Sequence, residues 1–147
     1  MADYDTYEVR VYKNGDKLWY QNGELHRTDG PAIEFADGGK SWYQYDHRHR
    51  TDGPAVERAD GDKHWYQNGK RHRTDGPASE YANGDKFWYK NGEFHRTDGP
   101  AVEWADGRKH WFIDGIYYIE EEFNEKMNSC DGKTVMIDGK EYRLTTI

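Results

Sequence analysis

A seven-residue string, His-Arg-Thr-Asp-Gly-Pro-Ala, occurs four times in this chain of 147 residues. The copies start 23 residues apart, at His26, His49, His72 and His95. Residues 3–25 form a degenerate copy that keeps Asn14-Gly15, Trp19 and Tyr20. A period of this length indicates a repeat protein in which each unit packs mainly on its neighbours. We therefore predict a stacked array of about five units between residues 3 and 117.

Each unit favours short antiparallel strands over helix, because Gly and Pro recur at fixed positions and both interrupt helices. In one unit the pattern predicts strands at Pro54–Ala59, Asp62–Gln67 and Lys70–Arg73. The dipeptides between these strands, Asp60-Gly61 and Asn68-Gly69, are typical of hairpin turns. The Thr-Asp-Gly-Pro part of the motif then turns the chain into the next unit, because each of its last three residues favours a turn.

The length of the first hairpin loop decides which side chains share a face of the sheet. A two-residue loop would place Val56 beside Trp65, whereas a three-residue loop at residues 59–61 places Glu57 beside Trp65. We favour the three-residue loop, because it gathers the invariant positions on one face. The positions that differ between units then lie together on the other face.

The C-terminal segment departs from the repeat. Residues Glu120–Asn128 have the apolar spacing of a helix, and Thr134–Leu144 are typical of a hairpin about Asp138-Gly139. We predict a mainly β, elongated antiparallel β-hairpin repeat solenoid over residues 1–119. Residues 120–147 are predicted to form a small helix-plus-hairpin cap, because terminal repeats need their open face covered.

Composition limits the classes of function. The net charge is −7 and the repeats are nearly balanced, which argues against binding to nucleic acid or to anionic membrane. No apolar stretch is long enough to span a membrane, and the first residues lack the apolar core of a secretory signal. Cys130 is the only cysteine, so an intramolecular disulfide is excluded. We expect a cytoplasmic protein.

The repeated histidines do not suit catalysis or metal binding. In a column with two strands per unit, neighbouring histidines lie about 10 Å apart. Zinc requires its ligand nitrogens at about 2 Å, so the column cannot converge on one ion. We predict instead that each histidine packs on the tryptophan of its unit and bonds a nearby carboxylate. The Asp46–His49 cluster lacks a third ligand.

The other reactive residue types also favour structural roles. The repeated glutamates, of which Glu57 is one, face lysines such as Lys63 and are predicted to pair with them across strands. Equivalent glutamates lack the two unlike environments that catalytic carboxylates require. Cys130 and Ser129 have no evident base nearby. We therefore predict no catalytic residue, no metal and no cofactor.

The positions that vary between units are the candidate recognition surface. Tyr, Trp and Arg are enriched where proteins bind each other. The tryptophan and tyrosine columns are consistent with packing alone, but one of them flanked by varied neighbours is typical of a binding face. The candidate residues are Phe35, Arg58, His64, Tyr66, Tyr81, Phe87, Tyr89, Trp104 and His110.

The stretch from Trp65 to His72, Trp-Tyr-Gln-Asn-Gly-Lys-Arg-His, resembles the middle of a membrane occupation and recognition nexus (MORN) repeat. The resemblance covers residues 7–117. This family typically follows its His with Gly-x-Gly, where the present chain has Arg-Thr-Asp-Gly-Pro-Ala. The variant is similar to tandem repeats of bacterial and phage proteins. The resemblance implies β-hairpin units that scaffold or bind proteins, in some bacterial relatives with an antitoxin-like role, and it transfers no catalytic residue.

Three functions remain open at this point. The first is a non-enzymatic scaffold that binds a partner protein, with a phage or bacterial inhibitor as a narrower form. The second is carbohydrate or cell-wall binding, because the Asp/Asn-Gly-x-Lys-x-Trp-Tyr stretch is similar to aromatic hairpin repeats that stack sugars or choline. The third is a self-assembling structural protein, since repeat edges pair end to end or form homo-oligomers.

Overall fold

The computed structural model describes residues 6–129 and 133–145. It confirms the predicted class, a mainly β chain of antiparallel hairpins with one short helix near the C-terminus. In the first three units the strands are β1 (Tyr7–Val11), β2 (Lys17–Gln21), β3 (Glu24–Leu25), β4 (Ile33–Glu34), β5 (Lys40–Ser41), β6 (Tyr43–Gln44), β7 (His47–Arg48), β8 (Val56–Glu57), β9 (Lys63–His64), β10 (Tyr66–Gln67) and β11 (Lys70–Arg71).

The later strands are β12 (Ser79–Glu80), β13 (Lys86–Phe87), β14 (Tyr89–Lys90), β15 (Glu93–Phe94), β16 (Val102–Glu103), β17 (Lys109–Ile113), β18 (Ile116–Tyr118), β19 (Thr134–Ile137) and β20 (Lys140–Arg143). One open sheet runs in the order β1-β2-β4-β5-β8-β9-β12-β13-β16-β17-β18, with β3 also paired to β2. Each full unit adds two strands to this sheet. The other strands form small hairpins: β6–β7, β10–β11, β14–β15 and β19–β20.

The three-residue loop predicted at residues 59–61 is confirmed. Val56 lies opposite His64 and Glu57 opposite Lys63 in the antiparallel pair β8–β9. Arg58 donates its backbone N–H to the carbonyl of Asp62 at 2.9 Å, which closes the loop. The third loop residue, Gly61, has a φ of +101°, a conformation that residues with a side chain rarely adopt. The repeated glycine thus fixes the register that separates the two faces.

The two-residue turn at Asn68-Gly69 is also confirmed, because Tyr66 lies opposite Arg71 and both turn residues have positive φ. The single strand predicted over Asp62–Gln67 is wrong, since it is interrupted at Trp65. The backbone N–H of Trp65 donates to Ala78 in the next unit at 2.8 Å, while its carbonyl accepts from His72 at 3.1 Å. Trp65 is therefore where the chain leaves the long sheet and enters its own small hairpin.

Adjacent residues of the sheet are buried on both of its faces, so the core is two thin layers. Ala55 is 0% exposed, and its neighbour Val56, which faces the opposite way, is also buried. The corresponding residues of the other units follow the same pattern: Ala32, Ile33, Ala78, Ser79, Ala101 and Val102. The burial of both layers depends on the side chains that cover each face of the sheet, and these side chains differ between the two faces.

The predicted C-terminal elements are confirmed. Helix α1 spans Glu120–Asn128 and buries Phe123. It contacts β17 and β18 at the end of the array, and β19 and β20 form the expected hairpin. The boundary at residue 119 stays a prediction, and Cys130 lies outside the described residues. In the part of the chain that the structure describes, no helix has the length and apolar character needed to cross a membrane.

Candidate functional site

One face of the sheet, which we call the constant face, carries the invariant Arg, Trp and Glu. The Arg73 guanidinium lies over the Trp65 ring, 4.0 Å from its centroid. Its Nε donates to Asp75 at 2.8 Å, and its Nη1 donates to Glu80 at 2.8 Å and to the carbonyl of Pro77 at 3.2 Å. Arg73 thus joins the ring, the Thr-Asp-Gly-Pro turn and the following strand. The same pattern recurs at Arg27, Arg50 and Arg96.

The predicted pairing of the repeated glutamates with lysines is wrong, because the glutamates of the constant face pair with arginines. Glu57 accepts from Arg50 at 3.0 Å, although Lys63 is its cross-strand neighbour. Among the described residues, the predicted Glu–Lys ion pair is found only between Lys17 and Glu34, whose charged atoms lie 3.9 Å apart. The guanidinium lies flat on a tryptophan and so is already positioned to donate, whereas lysine would lose side-chain entropy to do so. Hydrogen bonding from Arg73 also lowers the pKa of the Asp75 carboxyl.

The repeated histidines connect one unit to the next. Asn68 donates its backbone N–H to Nδ1 of His49 at 3.2 Å, and the histidine and its donor are 19 residues apart. The same bond is made to His26, His72 and His95. The predicted carboxylate partner is therefore wrong except at His95, whose Nδ1 also lies 2.7 Å from Asp114. In the Asp46–His49 cluster, Nδ1 of His47 lies 2.6 Å from the Tyr45 carbonyl. Within residues 6–129 and 133–145, no three ligating side chains converge on a metal position.

Clefts lie between successive Arg-Thr-Asp-Gly loops on the constant face. One of them has a volume of about 560 Å³ and is lined by residues that include Thr74, Asp75, Trp88 and Thr97. Equivalent clefts flank the earlier loops. The charged groups of these loops, such as Arg73 and Asp75, already pair with each other. The repeated clefts are therefore lined by the same paired groups from one unit to the next.

The opposite face, which we call the variable face, carries the positions that differ between units. One row contains the loop residues Tyr12, Phe35, Arg58, Tyr81 and Trp104 with the strand residues Leu18, Ser41, His64, Phe87 and His110. A second row alternates invariant rings with varied side chains: Tyr20, Leu25, Tyr43, Arg48, Tyr66, Arg71, Tyr89, Phe94, Phe112 and Tyr117. The two rows follow the length of the array side by side.

Towards the C-terminal end, the two rows form one aromatic network. The Phe87 ring lies 4.9 Å from Trp104, 5.2 Å from Tyr81 and 6.1 Å from Phe94, between ring centroids. Phe94 in turn stacks on Tyr89 at 4.4 Å. Such contacts add to the stabilisation from burial, so this end of the variable face is filled by its own side chains.

The middle of the variable face is polar, and we call it the polar centre: Ser41, Arg48, Arg58, His64, Arg71 and Ser79. The Arg48 guanidinium lies between the rings of Tyr43 and Tyr66, at 5.5 and 5.6 Å from their centroids. Arg71 lies similarly between Tyr66 and Tyr89, at 5.8 and 5.3 Å. In the described part of the chain, neither guanidinium has a carboxylate within ion-pair distance.

Several polar atoms of this centre are buried without a partner among the described residues. His64 is 2% exposed and neither of its ring nitrogens has a hydrogen-bond partner. Oγ of Ser79, the cross-strand neighbour of His64, and Nε of Arg71 are also buried and unpartnered. Burial and the nearby Arg71 lower the pKa of His64 to about 4. Each such group costs about 1–3 kcal/mol of stability, so the centre destabilises the free protein.

An open cleft lies towards the N-terminal end of the variable face. It has a volume of about 540 Å³, and its lining includes Tyr12, Leu18, Ile33 and Phe35. Phe35 is 42% exposed, which is unusual for a large ring beside other apolar groups. This end of the face therefore offers an apolar cleft, in contrast to the filled aromatic network at the other end.

The structure divides the candidate recognition residues into three environments. Phe35, Arg58 and His110 are exposed, and Tyr66, Tyr81, Tyr89 and Trp104 are half-buried. His64 and Phe87 are buried beneath their neighbours and present little surface. Sequence reasoning did not select Arg48 or Ser79, although the comparison of aligned positions that selected the others contains the same signal for these two. No model of a known protein family matches this chain, and comparison with curated proteins returns no match.

Proposed function

We propose that the protein is a non-enzymatic repeat scaffold that binds a partner protein through its variable face. The observation that carries the proposal is the contrast between the faces. The constant face pairs its arginines with its carboxylates, whereas the variable face presents exposed Phe35, half-buried rings and Arg48, which has no carboxylate partner among the described residues. Aromatic and arginine side chains are the types that dominate binding energy at protein interfaces.

The MORN-like resemblance supports the scaffold part of this proposal. The units are antiparallel hairpins with the Asn-Gly turn from which the resemblance was inferred. A phage or bacterial inhibitor is a narrower form of the same function, in which the bound partner is an enzyme or toxin. A cytoplasmic location and the absence of a cofactor belong to this proposal.

Carbohydrate binding has less support. Sugar-binding hairpin modules need open aromatic faces, and the rings of Trp19, Trp42, Trp65 and Trp88 are covered by guanidinium groups about 4 Å away. Self-assembly has one specific observation in its favour. The edge strand β1 is exposed along its length, and Tyr7 and Val11 are 70% and 68% exposed. Light scattering at increasing protein concentration tests it, since self-assembly raises the mass and a monomer keeps it constant.

The partner-binding proposal is tested by comparing two triple variants in affinity capture from the organism that encodes the protein. Phe35→Ala, Arg58→Ala and His110→Ala together remove exposed groups of the variable face. Lys40→Ala, Lys63→Ala and Lys86→Ala remove exposed groups of the constant face and serve as the matched control. We expect one or a few proteins to be captured by the wild type and the control, and to be lost from the variable-face variant.

The captured protein is then purified and titrated calorimetrically against all three chains. At least a tenfold weaker Kd for the variable-face variant, which is about 1.4 kcal/mol, supports the proposal. Equal capture by both variants, or capture lost only from the lysine variant, contradicts it. Matching circular dichroism spectra ensure that the loss does not reflect unfolding.

A further inference from the structure

In the polar centre, several neighbouring positions carry polar side chains where other units carry apolar ones. In the row of varied side chains, Leu25 and Phe94 flank Arg48 and Arg71. At the position of Ser79, two of the other units carry Val56 and Val102. Arg48, Arg71 and Ser79 are thus polar residues in the middle units, at positions that are apolar in the units before and after them. A sequence selected only for packing would keep the apolar residue that the neighbouring units show to fit.

The charge of this centre is uncompensated. Arg58 lies 3.5 Å from Asp62, but Arg48 and Arg71 face only tyrosines within the described residues. The whole chain carries a net charge of −7, so a cationic patch runs against its overall sign. Guanidinium groups held between aromatic rings keep their planar donors available for a carboxylate, which they bind in a bidentate manner.

The buried polar atoms indicate that this patch is preorganised for a hydrogen-bonding partner. His64 and Ser79 are nine-tenths buried or more, adjacent across β9 and β12, and unpartnered, and Nε of Arg71 is buried and unpartnered as well. Arg71 belongs to the second row of the variable face, so an acceptor that a ligand brings to its guanidinium would recover part of this cost, whereas His64 and Ser79 lie below the surface. A purely apolar partner would increase that cost, because it would desolvate the two guanidinium groups without pairing them.

We propose that the variable face binds an acidic segment of a partner protein, with acidic side chains paired to Arg48 and Arg71 and an apolar side chain in the N-terminal cleft. This inference rests on the proposed function and names the chemistry of its partner. The cleft is lined by Tyr12, Leu18 and Phe35, one to two repeats away from the two arginines. Two strands per repeat place these sites about 10–20 Å apart, which an extended segment spans with about three to six residues.

The probe is a phage-displayed library of random sixteen-residue peptides, selected in parallel against full-length variants. The chains are the wild type, the Arg48→Gln/Arg71→Gln variant and the Lys40→Gln/Lys63→Gln variant, which makes the same charge change on the constant face. We expect the wild type and the lysine variant to enrich peptides with Asp or Glu three to six positions from a large apolar residue. The arginine variant is expected to lose the acidic preference.

An enriched peptide and its twin with the acidic residue changed to the amide are then measured by fluorescence anisotropy. We expect the twin to bind the wild type about tenfold more weakly, a difference that rising salt reduces and that the arginine variant abolishes. Enriched peptides without acidic residues, or the same acidic preference in the arginine variant, overturn the inference. Failure to enrich any peptide also overturns it. So does binding of heparin, a polyanionic sugar, by a wild type that binds no peptide.

The two proposals fail in different ways. If the wild type enriches only apolar peptides, and the Phe35→Ala/Arg58→Ala/His110→Ala variant loses them, the acidic partner is refuted and the variable face remains the binding surface. If no peptide is enriched and the captured proteins do not depend on the variable face, both proposals are refuted. Urea unfolding of the arginine variant serves as the folding control, and we expect its midpoint to be no lower than that of the wild type.

Discussion

The two faces of this sheet use the same residue types for different purposes. On the constant face, Arg73 has a ring, two carboxylates and a carbonyl as partners. On the variable face, Arg71 lies two residues earlier between two tyrosine rings, donates Nη1 to the Tyr89 hydroxyl at 3.4 Å and has a buried, unpartnered Nε. The difference teaches that repetition marks the scaffold. The arginine that recurs in the four full units pairs with carboxylates in each of them, whereas Arg48 and Arg71, which occur in the middle units alone, have no carboxylate partner among the described residues.

The strongest test of this contrast is the same substitution on both faces. Arg73→Leu uncovers the Trp65 ring and removes the hydrogen bonds to the Pro77 carbonyl and to the solvent-exposed carboxylates of Asp75 and Glu80, so we expect a loss of about 2–3 kcal/mol in the free energy of unfolding. Arg71→Leu installs the residue type of Leu25 and removes a buried unpaired group. We expect it to leave the stability unchanged or to raise it. Urea unfolding followed by tryptophan fluorescence measures both variants.

The outcome that would break the comparison is a similar loss in the two variants, because Arg71 would then be part of the scaffold. Arg50→Leu is a second variant of the constant face, with the same partners one unit earlier. It is expected to match Arg73→Leu, since equivalent positions of a repeat protein make equivalent contacts.

The repeat explains how much of the fold the sequence predicts. The turns are local, and Gly61 and Asn68-Gly69 are residue types that favour positive φ, so their dipeptides were enough to locate the turns. The three-residue length of the first loop was predicted instead from the repeat, because that length gathers the invariant positions on one face. The interruption at Trp65 was not predictable in this way. It depends on a hydrogen bond from Trp65 to Ala78 of the next unit, which no pattern within one unit encodes.

The candidate site was less predictable for a similar reason. Alternation along a strand assigns His64 and Phe87 to the variable face, but not their depth below its surface. Their burial follows from contacts within and between the two rows, because Tyr81 of the same row packs on both rings and Phe94 of the second row packs on Phe87. The partner of Glu57 was missed because sequence spacing ranks Lys63 and Arg50 by register and ignores the stacking that positions the arginine.

A second prediction uses pH to test the cost of the variable face. The pKa of His64 is lowered to about 4, first by burial and then by Arg71 and Arg58, with Asp62 opposing and Arg48 adding to the effect. A histidine in the unfolded chain has a pKa of about 6.5, so the unfolded state binds its proton first as the pH falls. Protonation of His64 therefore favours the unfolded state. The contribution of His64 to the free energy of unfolding is highest above about pH 6.5 and falls by about 2–3 kcal/mol as the pH is lowered towards 4.

The matched variant is His64→Phe, because Phe87 occupies the equivalent position of the next unit. We compare the urea midpoints of the two chains at pH 7.5 and 4.5, so that the titration of carboxylates common to both cancels. The wild type is expected to lose more stability than the variant. Equal losses would mean that His64 titrates as an exposed histidine, and His64→Leu, the residue type of Leu18, distinguishes this result from a packing defect of Phe.

The smallest expected effect concerns a position where the scaffold itself is incomplete. Asp62 accepts a hydrogen bond from the backbone N–H of Ala82 in the next unit, at 2.9 Å. At the equivalent positions of two other units, Asp16 accepts from Ala36 and Asp85 accepts from Ala105. The second unit has Gly39 at this position, next to Phe35 of the N-terminal cleft, and its φ lies outside the left-handed range. Gly39→Asp is therefore expected to add the missing bond to Ala59.

The gain should be about 1 kcal/mol, from one hydrogen bond and from the lower entropy of the unfolded chain without the glycine. A Cβ at this position would lie 3.1 Å from Oδ1 of Asp37 and 3.3 Å from Cδ2 of Phe35, so small shifts of these two exposed side chains are required. Thermal unfolding measures the gain, and Asp62→Gly is the reverse control, expected to lose a similar amount. If Gly39→Asp destabilises the protein while Asp62→Gly does too, the glycine is kept for the shape of the cleft. Departures from the repeat would then serve the variable face even at a position of the scaffold.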